Sequence, residues 1–298
     1  MPGFNIPLLG DGLKMPWGDI RLIIDFFLGG LGVGAFIIAF VARLIDKERY
    51  QGVTKAGAYI APVAVIIGLL LLMSDAGVPI RFLTTFFRTH AASATSWGTF
   101  LQGFLVVFLL IYAWVASRPE GAVSESAELA IGWIALILAA LTAPYHGYVM
   151  ATMTGREFWS NAMVPTLFMT ISISTGIAIV TIFSAGEAPE VQVSLGKALA
   201  IILGIQLVVL ITQMSLAPTL SAGVKAAASV LINNVWLFWI GILLIGMIAP
   251  LIIDITAVRG EAAAATGTLF LVSLLVLVGG FLLRYGIIIA GQSTQLTP

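Results

Sequence analysis

Residues 20–45 read IRLIIDFFLGGLGVGAFIIAFVARLI, an apolar stretch that carries one carboxylate, Asp25, and four closely spaced glycines. An α-helix needs ~20 apolar residues to cross the hydrocarbon core of a bilayer. This stretch is therefore long enough to span a membrane, and it is too long for the core of a cleaved signal peptide. Of the 298 residues in the chain, 60% are hydrophobic and only 9% are charged. Such a composition excludes a soluble globular domain and a disordered chain.

Seven further apolar stretches follow the first. They lie near Ala56–Met73, Trp97–Ala116, Leu129–Met150, Met163–Phe183, Lys197–Leu216, Asn234–Asp254 and Thr268–Ala290. No linker separates them into groups. The sequence predicts an all-α integral membrane protein of eight transmembrane helices, forming one polytopic domain over residues 1–298.

The polar residues within these stretches gather at one side of the predicted membrane. Consecutive helices alternate in direction, so both termini lie on the same side, here named side A; the opposite side is side B. The residues that fall near side A are Asp25, Asp75, Gln102, Tyr145, His146, Gln213, Asn233, Asn234 and Arg284. Only Gln206, at mid-membrane, and Asp254, near side B, break this pattern. Ionisable groups within a membrane usually mark a site or a pathway, so we predict a polar pocket in the A leaflet.

The residue inventory limits the redox chemistry of the protein. It contains no Cys, which excludes disulfides, thiolate metal sites and a self-ligated iron–sulfur cluster. Its two histidines are His90, in a loop, and His146, in a helix, so we expect no bis-His haem and no metal in this protein. The formal net charge is zero, and nothing suggests a nucleic-acid partner. Any redox work must then use a diffusible organic carrier.

The basic residues give an expectation for orientation. They divide evenly between the two sides, but four of those on side B crowd the short loop that runs from Arg43 to Lys55. Charges in short loops count most in the positive-inside rule. We therefore expect side B to be cytoplasmic and the termini to lie on the non-cytoplasmic side of the cell membrane.

A weak internal repeat relates residues 26–34 in the first stretch to residues 168–176 in the fifth. Small residues align at Gly30/Ser172, Gly32/Ser174 and Gly34/Gly176. Four helices separate the two segments, so the repeat is parallel and predicts two four-helix bundles, about 1–155 and 156–298. Close packing of helix backbones is the alternative explanation for these small residues.

Six short motifs stand in order along the eight stretches and are more specific together than any one alone. They are DFFLGGLGVG at 25–34, DAGVPIRF at 75–82, SATSWG at 93–98, PYHG at 144–147, VPTLF at 164–168 and LRYGIIIAGQ at 283–292. This set resembles the NrfD-like family, the eight-helix membrane subunits of polysulfide reductase and of formate-dependent nitrite reductase.

The resemblance implies a quinone-reactive membrane subunit without a metal centre of its own. In that family a quinone of the menaquinone or ubiquinone type binds near the membrane face that docks an iron–sulfur subunit. The iron–sulfur subunit exchanges electrons with a catalytic subunit, often a molybdopterin enzyme, so this protein would not act alone on the terminal substrate. The family site draws on a polar residue early in helix 1 and a Tyr late in helix 4, which match Asp25 and Tyr145. A His often stands at the position of Asp25.

Chemistry and resemblance together give a set of candidate site residues. Asp25 and His146 are the expected catalytic groups, because quinol oxidation needs general bases that accept its protons. The expected quinone-binding residues are Asp25, Tyr145, His146, Gln102 and Arg284. The proton-transfer candidates are Asp75, Arg81 and Asp254.

Each candidate also has a structural interpretation. The alternatives are an Asp25–Arg21 pair, an Asp75–Arg81 pair, an ion pair of Arg284 with Asp75 or Asp25, an interfacial anchoring role for Tyr145, capping by His146 of the turn broken after Pro144, interhelical packing of Gln102, and snorkelling of Asp254 to water. At the level of function, the competing classes are a secondary transporter and a passive membrane anchor. The almost bare midplane disfavours a transporter, and the number of polar groups within the membrane disfavours a passive anchor.

Overall fold

The computed structural model describes residues 20–75, 87, 90, 93–119, 121–153, 155–259 and 265–292, and every structural statement below concerns these residues. Within them the regular secondary structure is helical, with no strands. Eight helices are long and apolar enough to cross a membrane. The predicted all-α fold with eight spans is therefore confirmed.

The helices follow the predicted stretches closely. Their bounds are α1 Ile20–Ile45, α2 Gln51–Asp75, α3 Ala94–Ala116, α4 Glu125–Ala151, α5 Met163–Phe183, α6 Pro189–Leu220, α7 Ala222–Ile232, a π-helical segment Val235–Ile248 continuing into α8 Ala249–Arg259, and α9 Ala265–Gln292. Helix α6 begins eight residues before the predicted start at Lys197, because Pro189 suits a first helical position and Glu190 favours the first turn.

Two features of the C-terminal half were not predicted. The short helix α7 starts at an N-cap, Ser221, whose side chain accepts a hydrogen bond from the amide of Val224 at 3.1 Å. After it, the seventh span is π-helical over 14 residues, from Val235 to Ile248. Hydrophobic patterning cannot distinguish a π-helix from an α-helix in a stretch that is apolar on all sides, so no pattern in the sequence indicated this segment.

Helices α1 and α5 form the centre of the bundle. In their most apolar windows 72% and 67% of the residues are buried, against 56% or less for the other spans. The two helices cross at Gly34 and Gly176, where a Cβ atom on either residue would overlap the backbone of the other helix. This contact joins the first helices of the two predicted halves, while the internal repeat itself stays a prediction.

Candidate functional site

The site is built around a hydrogen bond between Gln102 on α3 and His146 on α4. Atom Nε2 of Gln102 lies 3.0 Å from Nε2 of His146, and both side chains are buried, at 8% and 3% exposure. With the amide in this orientation its nitrogen can only donate, so Nε2 of His146 accepts and the imidazole proton resides on Nδ1. Atom Nδ1 has no hydrogen-bond partner among the described residues.

Local structure fixes the two partners. The N-cap Ser93 accepts a hydrogen bond from the amide of Ser96 and sets the start of α3, two turns before Gln102. Pro144 lies inside α4 directly before the Tyr145–His146 pair, and a proline in a helix interior removes one backbone hydrogen bond and bends the helix. The ring of His146 stacks on Phe26 of α1, with 4.6 Å between ring centroids and 19° between planes.

Asp25 lies in the same region, on α1. Its side chain is only 2% exposed, and its Oδ2 atom has no hydrogen-bond partner in the described part of the protein. The carboxyl group is close enough to interact electrostatically with both Arg284 and Tyr145. The neighbouring Arg21 donates from Nη1 to the backbone carbonyl of Ser74, at 2.9 Å.

Arg284 is fully buried on α9 and binds backbone rather than a carboxylate. Its Nη1 donates to the carbonyl oxygens of Phe26, at 2.7 Å, and Phe27, at 2.9 Å. Its Nη2 donates to Oγ of Ser172 on α5, at 2.8 Å. The guanidinium group thus connects α1, α5 and α9.

The predicted ion pair of Arg284 with Asp25 is therefore wrong as a direct contact, and the alternative partner, the side chain of Asp75, lies outside the described residues. The carbonyls of α1 lie nearer to the guanidinium group and take both hydrogens of its Nη1. Glycine at position 30 makes this arrangement possible, because a Cβ atom there would overlap Nη2 of Arg284. The charge of Arg284 reaches Asp25 only through space.

Tyr145 lies at the edge of the cluster, beside His146. It is half-buried, and its hydroxyl donates to the carbonyl of Ala94 in the first turn of α3, at 3.1 Å. Its ring centroid lies 5.8 Å from that of His146, with the planes tilted by 58°. The hydroxyl can still accept one hydrogen bond.

Other predicted residues lie apart from this cluster or outside the described residues. Asp254 on α8 is 0% exposed, and its carboxyl group lies against the backbone of Ala200 on α6. The snorkelling interpretation is wrong, because α8 continues to Arg259 and packs on α6 and α9, which enclose the carboxyl group. Arg81 and the side chain of Asp75 are outside the described residues.

Asn233 and Asn234 are exposed at the turn after α7, outside the buried cluster. Sequence reasoning missed two contacts. Ser172, which binds Arg284, was predicted only to be a small residue of the internal repeat. The same is true of Ser174, whose hydroxyl donates to Oε1 of Gln206 at 2.8 Å. A serine aligned with a glycine gives no signal of its hydrogen-bond partner.

Eight apolar helices around a buried cluster of Asp, His, Gln and Arg define a multi-pass membrane protein with a polar site inside the bundle. Residues 8–296 match the sequence profile described as "Polysulphide reductase, NrfD". The chain belongs to the NrfD family.

Three relatives share about one identical residue in four with this protein. The sequence is 26% identical to the C subunit of polysulfide reductase from Wolinella succinogenes, over 94% of this protein and 99% of that one. It is 25% identical to a protein NrfD homolog of Haemophilus influenzae, over 93% of this protein and 94% of that one. It is also 25% identical to the Hdr-like menaquinol oxidoreductase integral membrane subunit of Archaeoglobus fulgidus, over 58% of this protein and 42% of that one.

Proposed function

We propose that this protein is a quinone-reactive membrane subunit of a respiratory oxidoreductase complex. It exchanges electrons between the membrane quinone pool and an iron–sulfur subunit. That subunit in turn exchanges electrons with a catalytic subunit of the molybdopterin type. The observation that carries the proposal is two buried polar atoms that have no hydrogen-bond partner among the described residues, Oδ2 of Asp25 and Nδ1 of His146, on the contacting helices α1 and α4. The names of two relatives, a polysulfide reductase subunit and a menaquinol oxidoreductase subunit, support the same class.

The residues present fit a quinone headgroup. A quinone has two ring oxygens that need hydrogen-bonding partners, and a flat ring that stacks on aromatic side chains. Leaving a buried polar group unpaired costs about 1–3 kcal/mol. Binding of a ligand that pairs with Asp25 and His146 is therefore favoured, because it removes that cost. Phe26 and Tyr145 supply aromatic surface next to these atoms.

Gln102 allows His146 to serve both redox forms of the ligand. When the amide nitrogen donates to Nε2, the proton of His146 is on Nδ1 and can be donated to a quinone carbonyl. When the amide turns so that its oxygen accepts from Nε2–H, Nδ1 has a free lone pair and can accept a quinol proton. The neutral imidazole can thus hold its proton on either nitrogen, because the side-chain amide of Gln102 can turn to donate to Nε2 or to accept from it.

Asp25 is the group we propose for the second proton. Quinol oxidation releases two electrons and two protons, and a carboxylate placed within hydrogen-bonding reach can accept one proton. The guanidinium group of Arg284, held by the carbonyls of Phe26 and Phe27, acts on Asp25 through space and holds α1 in place.

We propose that the iron–sulfur subunit docks on side A. The cluster lies at the A ends of α1, α3, α4 and α9, which shortens the path for electrons to a partner on that face. The loop charges predict that side A is non-cytoplasmic. The docked subunit and the termini would therefore lie on the same, non-cytoplasmic side. Asp75, Arg81 and Asp254 remain proton-transfer candidates, and Asp254 is separated from the cluster.

A photoreactive quinone tests the proposed site directly. An azido-quinone irradiated with the purified complex should label peptides that contain Asp25 or His146, and excess native quinone should suppress the labelling. The double variant Gln102→Leu/His146→Leu should lose the label, whereas Arg49→Gln, at an exposed ion pair with Glu190, should keep it. Labelling that maps only to the region of Asp254 would show that the quinone binds elsewhere.

A further inference from the structure

A second polar site lies on side B, at the opposite end of the bundle from the Asp25–His146 cluster. A cavity of about 480 Å³ is formed by the α1–α2 loop, the first turns of α2, the end of α3 and the α3–α4 loop. This volume is within the range of small-ligand sites. The charged side chains that line it are Arg43, Lys47, Glu48, Lys55, Arg118 and Glu128, four basic and two acidic.

One wall of the cavity is a fixed ion-pair cluster. Arg43 is only 6% exposed and donates from Nε to Glu128 at 2.8 Å and from Nη2 to Glu125 at 3.0 Å. Lys47 lies 3.9 Å from the same Glu128. The charge of Arg43 is therefore neutralised within the protein. This wall shapes the cavity but does not offer the charge of Arg43 to a ligand.

The remaining positive charge comes from Lys55 and Arg118. In the part of the protein that the structure describes, neither side chain forms an ion pair with a carboxylate. The two residues approach the cavity from different elements, Lys55 from the start of α2 and Arg118 from the α3–α4 loop. Glu48 is the other carboxylate of the lining, so these two cations leave a net positive charge at the cavity, which favours an anionic ligand.

Tyr112 supplies an independent sign of a ligand. Its side chain lines the cavity and is 1% exposed, yet its hydroxyl has no hydrogen-bond partner among the described residues. The ring is held edge-on to Phe36 and Phe40, with centroids 5.2 and 5.7 Å away, so it cannot turn easily towards water. A buried tyrosine hydroxyl usually has a partner, and an acceptor oxygen of a ligand would provide one.

The cavity lies at the ends of membrane-spanning helices, where we expect the lipid headgroups. The guanidinium group of Arg118 is 4.4 Å from the ring centroid of Trp114, a residue that is half exposed on α3. Tryptophan is enriched at the membrane–water interface. Basic pockets between transmembrane helices at this level are typical binding sites for anionic lipid headgroups.

We propose that this cavity binds a phosphate group, that of an anionic phospholipid, between Lys55 and Arg118, with the Tyr112 hydroxyl donating to a phosphate oxygen. Inorganic phosphate shares this chemistry and is the alternative source. The site is independent of quinone chemistry, because it lies at the other end of the bundle.

Native mass spectrometry of the intact complex can measure this binding, with cardiolipin, phosphatidylglycerol or phosphatidylcholine added in turn. Lys55→Gln/Arg118→Gln should weaken cardiolipin and phosphatidylglycerol binding at least tenfold, and Tyr112→Phe about fivefold. The matched control Arg49→Gln/Lys197→Gln removes two exposed cations from the same face outside the cavity and should change binding less than twofold. Thermal unfolding of each variant verifies that it is folded.

The outcomes separate the two sources of phosphate. Selective loss of anionic-lipid binding in the cavity variants supports the lipid as ligand. Stabilisation of the unmutated complex by inorganic phosphate, absent in the cavity variants and without any selective loss of lipid, supports the phosphate site with a soluble ligand. Equal losses in cavity and control variants, or equal binding of phosphatidylcholine, would overturn the proposal.

Discussion

The amide nitrogen of Gln102 on α3 lies 3.0 Å from Nε2 of His146 on α4, and the opposite ring nitrogen of His146 has no partner in the described structure. A side-chain amide can therefore select the tautomer of a buried imidazole. If the cluster binds a quinone as proposed, this selection decides whether Nδ1 donates or accepts at the ligand.

The tautomer of His146 can be observed directly. The protein has only two histidines, so ¹⁵N solid-state NMR of the histidine-labelled protein gives two sets of ring signals. In the resting protein we expect His146 to be neutral with its proton on Nδ1. Gln102→Glu should shift the proton to Nε2, because an ionised carboxylate can only accept, while the signals of the exposed loop residue His90 stay unchanged. An Nε2-protonated His146 in the unmutated protein would contradict the hydrogen bond as described.

Gly30 should be intolerant of substitution. A Cβ atom at this position would overlap Nη2 of Arg284 and lie 2.6 Å from Oγ of Ser172, so Gly30→Ala must displace the buried guanidinium group. Overpacking of this kind costs about 1–3 kcal/mol, and we expect a lower unfolding temperature together with reduced quinol turnover. The control is Gly204→Ala on α6, where an added Cβ meets nothing within 4 Å and stability should be unchanged or slightly raised. Equal stability of the two variants would mean that Arg284 is not held as described.

Sequence reasoning succeeded where a property repeats along a helix. Runs of apolar residues predicted the eight spans, and helix parity placed Asp25, Gln102 and His146 at the same end of the bundle, where the structure brings Gln102 and His146 into contact. It failed for Arg284 and Asp254, because pairing and burial depend on how helices are rotated and packed. A backbone carbonyl on another helix leaves no signal in a sequence, so a carboxylate partner for Arg284 was the natural expectation.

The topology gives a prediction that does not depend on the site. The protein has no native cysteine, so single cysteines introduced at exposed positions can be labelled individually. Ser126→Cys, in the first turn of α4, and Ser160→Cys, in the α4–α5 loop, should label from opposite sides of sealed vesicles, because α4 crosses the membrane between them. Labelling of both from the same side would contradict the assignment of α4 as a membrane span.

Quinol oxidation by variants of the intact complex tests the central claim most directly. Losing a general acid or base typically lowers a rate ~10²–10⁴-fold, so Asp25→Asn and His146→Leu should each lower quinol turnover strongly. Tyr145→Phe should cost less, about 1 kcal/mol for one hydrogen bond. Assembly, and activity of the catalytic subunit with artificial electron donors, should survive in all three variants. Quinol turnover within about twofold of the unmutated complex in both Asp25→Asn and His146→Leu would show that the quinone reacts at another site.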